Sequence, residues 1–390
     1  MVYRALGLMS GSSLDGLDIV FAEIQENGGK WRFEILAADC YPYADEWVSR
    51  LQNATRLNAF DYQLLHVEYG HYLGREVNRF IDAHDLHYKV GLIASHGHTS
   101  FHDPSRGLTA QLGDGAALAA ETGLPVVSDL RSMDVALGGQ GAPIVPIGEQ
   151  LLLGDYAYFL NLGGIANISA NQVPYIAFDV CAANRVLNML VNEDGKAFDD
   201  KGAMAASGQV KSDLLEKLND LDYYRKPWPK SLANEWGTDV VYPLIKESGY
   251  SLNDRLRTFT EHIAIQITAA VDLLKATATK TEPEKLLVTG GGAFNNFLVK
   301  RLSDLLLEKN VEVVLPDNNL IAYKEALVMA LIGVLRWREE VNVFSSVTGA
   351  RRDSVGGHCG FREKHNFLQP QHLLQLSITA TAYGNPGTCS

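Results

Sequence analysis

Cysteine is scarce in this chain of 390 residues: Cys40, Cys181, Cys359 and Cys389 lie far apart, and no two form a C-x-x-C pair. That spacing argues against a disulfide framework or a zinc knuckle and makes a reducing, cytoplasmic setting the expectation. Long hydrophobic runs are missing too. No apolar stretch is long enough to span a bilayer. The first residues carry no charged segment followed by a cleavable apolar one, so no signal peptide is expected. Positive charge is in short supply: 34 Lys and Arg stand against 46 Asp and Glu, a formal net charge of −12. This argues against nucleic acid as a partner and, more weakly, against docking on an anionic membrane. Anionic small ligands stay within reach, because backbone N–H groups and single arginines bind them locally. The rest is ordinary globular composition, 46% hydrophobic and 21% charged, at a length suited to two domains.

The first turn is the most informative segment. Residues Tyr3 to Glu23 read as strand, tight polar turn, strand, and the turn holds Ser10, Gly11, Ser12, Ser13, Asp15, Gly16 and Asp18. Small residues let backbone approach a ligand, and successive N–H groups and Ser hydroxyls in such a turn can ring a phosphate. The Lys of a G-x-x-x-x-G-K-[ST] loop is absent and no helix follows, so the expectation is a phosphate held by a hairpin. An ordinary Ser/Gly hairpin turn would read the same way.

Residues 31–40 extend the hairpin as a third strand, and 44–89 are helical in pattern. Lys89 to Ala94 is a short strand running into a polar turn at Ser95-His-Gly-His-Thr99, Ala110 to Thr122 reads as a helix, and Pro125 to Asp129 as a strand. Residues 131–147 read as an ordered Gly/Pro loop. The pattern then repeats: strand, small-residue turn and strand over Tyr156 to Ser169, a third strand over Pro174 to Asp179, and a helix over 184–193. Helices follow at 210–222 and 254–279, a buried strand at Glu284 to Thr289, a helix at 297–309, a strand at Val311 to Pro316 and an apolar helix at Lys324 to Arg338. Alternating strands and helices imply an α/β fold with parallel or mixed sheets. Residues 362–390 lose periodicity and read as a weakly ordered tail.

Three glycine turns follow strands, at Gly11, at Gly163-Gly164 and at Gly290-Gly291-Gly292. Together they fit a cleft holding a nucleotide between two similar domains, although each alone reads equally as a strand-end turn. Asp179 ends an apolar strand, where a carboxylate facing a cleft suits a general base; it could equally cap the helix near Asn184. His96, His98, His102 and Asp103 raise a metal reading, but His96-Gly-His98 on a glycine turn fits hydrogen bonding to a polar ligand better, and no metal ligands are assigned. Asp129, Arg131 and Asp134 beside Gly138-Gly-Gln-Gly-Ala-Pro143 suit hydroxyls and the carboxylate of a sugar acid, with Arg131 as a planar fork; a surface ion-pair cluster is the plainer alternative.

Taken in order, these segments resemble the anhydro-N-acetylmuramic acid kinase family, within the actin-like ATPase and sugar kinase superfamily. The resemblance runs from about residue 5 to 357. It rests on Gly7-Leu-Met-Ser-Gly-Ser-Ser-Leu-Asp-Gly-Leu-Asp18, Ser95-His-Gly-His-Thr99, Ser128-Asp-Leu-Arg131 with Asp134, and Gly138 to Pro143. Further matches are Asn161-Leu-Gly-Gly-Ile-Ala-Asn167, Phe198-Asp-Asp-Lys-Gly202 with Ala205-Ala-Ser-Gly208, Pro229-Lys-Ser-Leu232, Gly290-Gly-Gly-Ala-Phe-Asn295, Lys324-Glu-Ala-Leu327 and Ser346-Val-Thr-Gly-Ala350. The resemblance implies two actin-like ATPase-type domains, mixed sheets flanked by helices, around a nucleotide cleft. They would span 1–140 and 141–361, with a terminal helix packing back on the first. It implies an enzyme of peptidoglycan recycling that uses ATP and Mg²⁺ to convert 1,6-anhydro-N-acetylmuramic acid and water to N-acetylmuramic acid 6-phosphate. Asp179 would be the base. ATP would be held by Gly11, Ser12, Ser13, Leu14, Asp15, Gly16, Leu17 and Asp18, by Gly163 and Gly164, and by Gly290, Gly291, Gly292 and Asn295. The sugar would meet His96, Thr99, Asp129, Arg131 and Gln140. Mg²⁺ would be held mostly through phosphate and water, with Asp15 or Asp18 assisting. A homodimer stays open.

The chain departs from the family pattern in three places. Ser12 stands for a usual Thr, and His98 for a usual Gln. Asp179-Val-Cys-Ala-Ala-Asn184 stands where the family commonly has Asp-Thr-Gly-Pro-Gly-Asn. With Cys181 and Ala183 at the glycine positions, positive φ would be costly there, which bears on the backbone beside the base. Another 1,6-anhydrosugar such as levoglucosan, or a nucleotide sensor without catalysis, are the competing readings.

Overall fold

The opening hairpin forms because both faces of its strands find apolar cover. β1 (Val2–Ser10) and β2 (Gly16–Asn27) pair antiparallel, from Val2 opposite Gln25 to Ser10 opposite Leu17. Leu17, Ile19 and Phe21 of β2 enter one core, and Val20, Ala22 and Ile24 enter another on the opposite face. β3 (Lys30–Pro42) runs antiparallel along β2. β4 (Leu92–Asp103) lies parallel to β1, β5 (Leu108–Leu112) folds back on β4, and β6 (Val126–Ser128) runs parallel to β4. The computed structural model describes residues 1–11, 14–228, 230–275 and 282–360; Ser12, Ser13 and the expected tail at 362–390 lie outside them.

The second half repeats this plan. β7 (Tyr158–Leu162), β8 (Ile165–Ala170) and β9 (Ile176–Ala182) form an antiparallel meander. β10 (Glu284–Thr289) and β11 (Val311–Val314) add in parallel beside β7. The strand order β9-β8-β7-β10-β11 in the second sheet matches β3-β2-β1-β4-β6 in the first, with the same senses. β12 (His358–Gly360) closes the free edge of β6. The fold is thus mixed α/β, two mixed sheets flanked by helices.

The Ala59–Ala83 and Gly115–Thr122 helices cover one face of the first sheet. The Leu252–Leu274 helix covers the second sheet. The apolar helix Asn318–Trp337 joins the two, sharing one core with Ala5 and Val20 of the first sheet and Phe159 and Leu287 of the second. Its apolar side chains are core. Its approach is so close that a Cβ on Gly7 would collide with the Ala326 carbonyl.

Several sequence expectations need correction. Ser95 to Thr99 is not a turn but the middle of β4, which runs on to Asp103. His96 and His98 sit in extended backbone because Arg131 and Ser10 take up their ring nitrogens. Ala110–Leu112 belongs to β5 rather than to a helix, and the helix starts at Gly115, capped by the Asp114 carboxylate accepting from Ala117 N–H. The 131–147 segment is not all loop: helices cover Ser132–Ala136 and Pro146–Leu152. Asp179 does not end its strand, because β9 continues to Ala182.

Candidate active site

The second sheet aligns three polar side chains. Asn161 on β7 faces Asn167 on β8, and Asn167 faces Asp179 on β9. All three line a cavity of about 470 Å³. Its other walls come from the Ala142–Pro146 segment with Arg131 and Gln140, and from Glu149, Lys324 and Glu325. It therefore lies where material from both halves of the chain meets.

Asp179 is fixed on every side. Leu232 N–H donates to its Oδ2 at 2.8 Å, its own N–H donates to Lys230 O, and Tyr223 donates to its carbonyl at 2.6 Å. Burial pushes its carboxyl above the usual range, opposed by the Leu232 hydrogen bond. It does not cap the following helix, whose first turn has no side-chain cap. No position from Val180 to Ala183 takes positive φ, and all four residues are buried. The strand bulges at Val180, where the register with β8 shifts, and beyond its end Ala183 and Asn184 N–H groups donate to the Gly164 and Gly163 carbonyls at 2.9 and 3.1 Å.

Arg131 reaches the cavity from the first half. Its Nε donates to His96 Nε2 at 2.8 Å, and a terminal nitrogen donates to Gly141 O at 2.6 Å. Burial lowers its pKa to about 10, so it stays cationic at neutral pH. His96 is held neutral, pushed down to about 3 by burial and then by Arg131. Its Nδ1 therefore donates to Gly97 O at 2.9 Å, which frees Nε2 to accept from Arg131. The loop carrying Gln140 is clamped by Asp134, which accepts from Gly141 N–H and Thr348 hydroxyl, both at 2.7 Å. This clamp accounts for the Thr348 segment.

A buried ion pair forms another wall. Lys324 donates to Glu149 Oε1 at 2.8 Å, with both side chains about 5% exposed. Glu149 Oε2 accepts from Ser169 at 2.7 Å and from Tyr175. Glu325, next along the helix, is close enough to act on both Arg131 and Asp18.

The first hairpin turn is anchored from below. Ser10 bonds His98 Nδ1 at 3.0 Å and accepts from Tyr43 at 2.7 Å, and burial holds His98 neutral with a pKa of about 4. Gly16 is required there, since a Cβ would stand 2.7 Å from both Cys40 Sγ and Tyr41 O. Leu17 points into the core, so only its backbone is available to a ligand. Leu14 has positive φ and its N–H reaches Gly11 O. The Asp18 carboxyl is pushed up to about 6, chiefly by burial, with Asp15 and Glu325 adding repulsion.

The other glycine turns adjoin each other. Gly290 has φ +81°, and a Cβ on it would strike Asn161; one on Gly292 would stand 2.6 Å from Leu162 Cβ. Leu162 precedes Gly163-Gly164, and Asn184 Nδ2 ties to its carbonyl at 2.8 Å. Asn295 caps the Asn296–Leu307 helix by accepting from Leu298 N–H, so that helix terminus is already partly satisfied.

Of the expected sugar-binding residues, Arg131 and Gln140 line the cavity with Asp179. His96 touches it through Arg131. Thr99 accepts from Gln111 at 3.3 Å, and Asp129 lines a different cavity. Sequence reading missed Asn161, Asn167, Glu149, Lys230, Lys324 and Glu325. All but Glu149 lie in the quoted segments, but helical and strand patterning gave no sign that they faced a cavity.

The family model described as anhydro-N-acetylmuramic acid kinase matches residues 3–361. The chain belongs to the anhydro-N-acetylmuramic acid kinase family. A kinase of this name from Francisella tularensis subsp. novicida is 33% identical over 383 residues, covering 91% of this chain and 98% of that protein. One from Aliivibrio fischeri is 35% identical over 317 residues, covering 77% and 83%. One from Gloeobacter violaceus is 34% identical over 373 residues, covering 89% and 96%.

Proposed function

We propose that this chain is a cytoplasmic ATP-dependent kinase of peptidoglycan recycling. It converts 1,6-anhydro-N-acetylmuramic acid and water to N-acetylmuramic acid 6-phosphate and ADP. Within the family, the observation that carries this reading is Asp179: a carboxylate raised by burial, fixed at one oxygen by Leu232 N–H, on a cavity that also holds the cation Arg131. Asp179 Oδ1 takes a proton from water as the water oxygen bonds to the anomeric carbon. The bond from that carbon to O6 breaks, and its electron pair stays on O6. O6 then bonds to the γ-phosphorus as the bond to ADP breaks. Arg131 pairs with the lactyl carboxylate of the sugar, in the bidentate manner suited to a planar guanidinium, and Gln140 bonds sugar hydroxyls. His96 acts one step back, by aiming Arg131.

The hairpin Gly11–Asp18 and the turn Gly163-Gly164 approach the phosphates from the two sheets, and Gly290–Gly292 with Asn295 flanks the adenosine. The matched strand orders support two actin-like units, residues 1–140 and 141–361, around this nucleotide. Among the described residues no three His, Cys, Asp or Glu side chains converge as a metal cage. Mg²⁺ would keep water and phosphate oxygens as its main ligands, with Asp15 or Asp18 assisting. When bound it neutralises phosphate charge. A coupled assay of ADP release with MgATP tests the reading. Turnover with 1,6-anhydro-N-acetylmuramic acid, none without sugar and little with levoglucosan is expected. Turnover with levoglucosan alone, or with no sugar at all, overturns it.

A further inference from the structure

A second cavity, of about 440 Å³, opens on the other side of the Arg131–His96 contact. It lies at the start of the Gly115–Thr122 helix, between β4, β5, β6 and β12. No part of the proposed reaction uses it. Two polar groups buried in its wall have no partner among the described residues. Ser95 is 1% exposed and its hydroxyl makes no hydrogen bond. The side-chain oxygen of Gln111 is likewise unpartnered, although its nitrogen donates to Thr99 and Thr109. Leaving buried polar atoms unpaired is costly, and two of them around one cavity indicate that a ligand completes them.

The chemistry of the lining selects that ligand. Among the described residues no Lys or Arg lines the cavity, so a phosphate or carboxylate would find no counter-charge from them. Asp114 and Asp129 would repel it. Both carboxylates are engaged by donors: Asp114 by Ala117 N–H, and Asp129 by Ser132 and by His358 at 3.0 Å. Each keeps further lone pairs for hydroxyl donors. His66 accepts from Gly113 N–H at its Nδ1 and is kept neutral by burial. The volume falls in the range of about 300–1,000 Å³ typical of small-molecule sites. We propose that this cavity binds a neutral, hydroxyl-rich molecule of monosaccharide size, and that its occupancy is felt in the active cavity through His96 and Arg131. His96 lines the second cavity, Arg131 lines the first, and a single 2.8 Å hydrogen bond joins them. A ligand pressing on His96 re-aims the guanidinium. It therefore changes KM for the carboxylate-bearing sugar more than kcat.

The test is calorimetric titration of the full-length protein with glucose, N-acetylglucosamine and myo-inositol, with glucuronate as the anionic control. At least one neutral ligand should saturate, with glucuronate at least about tenfold weaker. Ala116, exposed at the cavity rim, gives a blocking variant that leaves the core alone. Ala116→Trp should weaken binding at least about tenfold while leaving basal turnover intact. Ser95→Ala, which removes one unpartnered hydroxyl, should weaken it severalfold without unfolding the protein. No saturable binding of any neutral ligand up to about 50 mM overturns the site. So does binding that neither variant weakens, which would assign it to the active cavity. An unchanged KM for the anhydrosugar at saturating neutral ligand overturns the coupling.

Discussion

Asp179 closes a row of polar side chains that runs across three strands, and its burial sets how the enzyme should respond to pH. Its carboxyl is raised, so the acid limb of kcat/KM should lie above the ordinary carboxylate range. Activity should fall as pH drops through that value, because the protonated group cannot accept the proton of water. Asp179→Asn should cost about 10²–10⁴ in kcat with little change in nucleotide affinity, measured by the coupled assay and by titration with an ATP analogue. Asp18 acts on stability instead. Its folded pKa of about 6 lies above the ordinary 3.8. The folded state therefore binds the extra proton, and that stability is full below about pH 4 and lost as pH rises through about 6. Asp18→Asn should remove this pH dependence and stabilise the nucleotide-free protein at pH 7 by about 1 kcal/mol, discounted for partial exposure. Denaturant unfolding at pH 4 and 7 checks it.

At the scale of elements, the two hairpins rest on glycines with no room for a side chain. Gly16→Ala should push against Tyr41 O and Cys40 Sγ at 2.7 Å, costing about 1–3 kcal/mol and weakening nucleotide binding. Thermal unfolding and nucleotide titration would show both effects. These hairpins were readable in the sequence because alternating apolar residues flank a turn of Ser, Gly and Asp. So were the matching third strands, the buried strand Glu284–Thr289 and the core role of the Lys324–Arg338 segment. β4 was shortened and β5 missed for one physical reason. Ser95, His96, Gly97, His98 and Thr99 look like a turn in isolation. Ser10 and Arg131 hold His98 and His96 in place, and those partners are distant in the chain. Glu149 and Lys324 were unreadable for the same cause: they are 175 residues apart, and nothing local marks either as half of a pair. All three of Asp179, Arg131 and Gln140 line the cavity; an apolar strand singled out the first, and an adjoining Gly/Pro segment the other two. Asp129 shared that setting, yet its side chain turns to the other cavity.

For the molecule as a whole, the buried pair Glu149–Lys324 ties the long helix to the segment between the two sheets. Glu149→Leu alone strands a buried ammonium and should cost about 3–5 kcal/mol, whereas adding Lys324→Met should recover much of that loss in denaturant unfolding. A cavity walled by both halves should tighten around its ligands to keep bulk water from the γ-phosphate. Small-angle scattering should show a smaller radius of gyration with sugar and a non-hydrolysable nucleotide, and an unchanged radius would speak against closure. The Asn318–Trp337 helix has a different consequence, for how the protein is made. It covers β1, β2 and β4, and β12 seals the edge of β6, yet both follow the whole second sheet in the sequence. The first sheet leaves the ribosome with one apolar face bare and an edge strand unpaired, the state in which nascent chains stick to one another. It must wait through about 190 residues of the second sheet's sequence before its own last layer arrives. A chain stopped before residue 318 should therefore engage chaperones or aggregate, and a separately supplied C-terminal piece should be able to complete it.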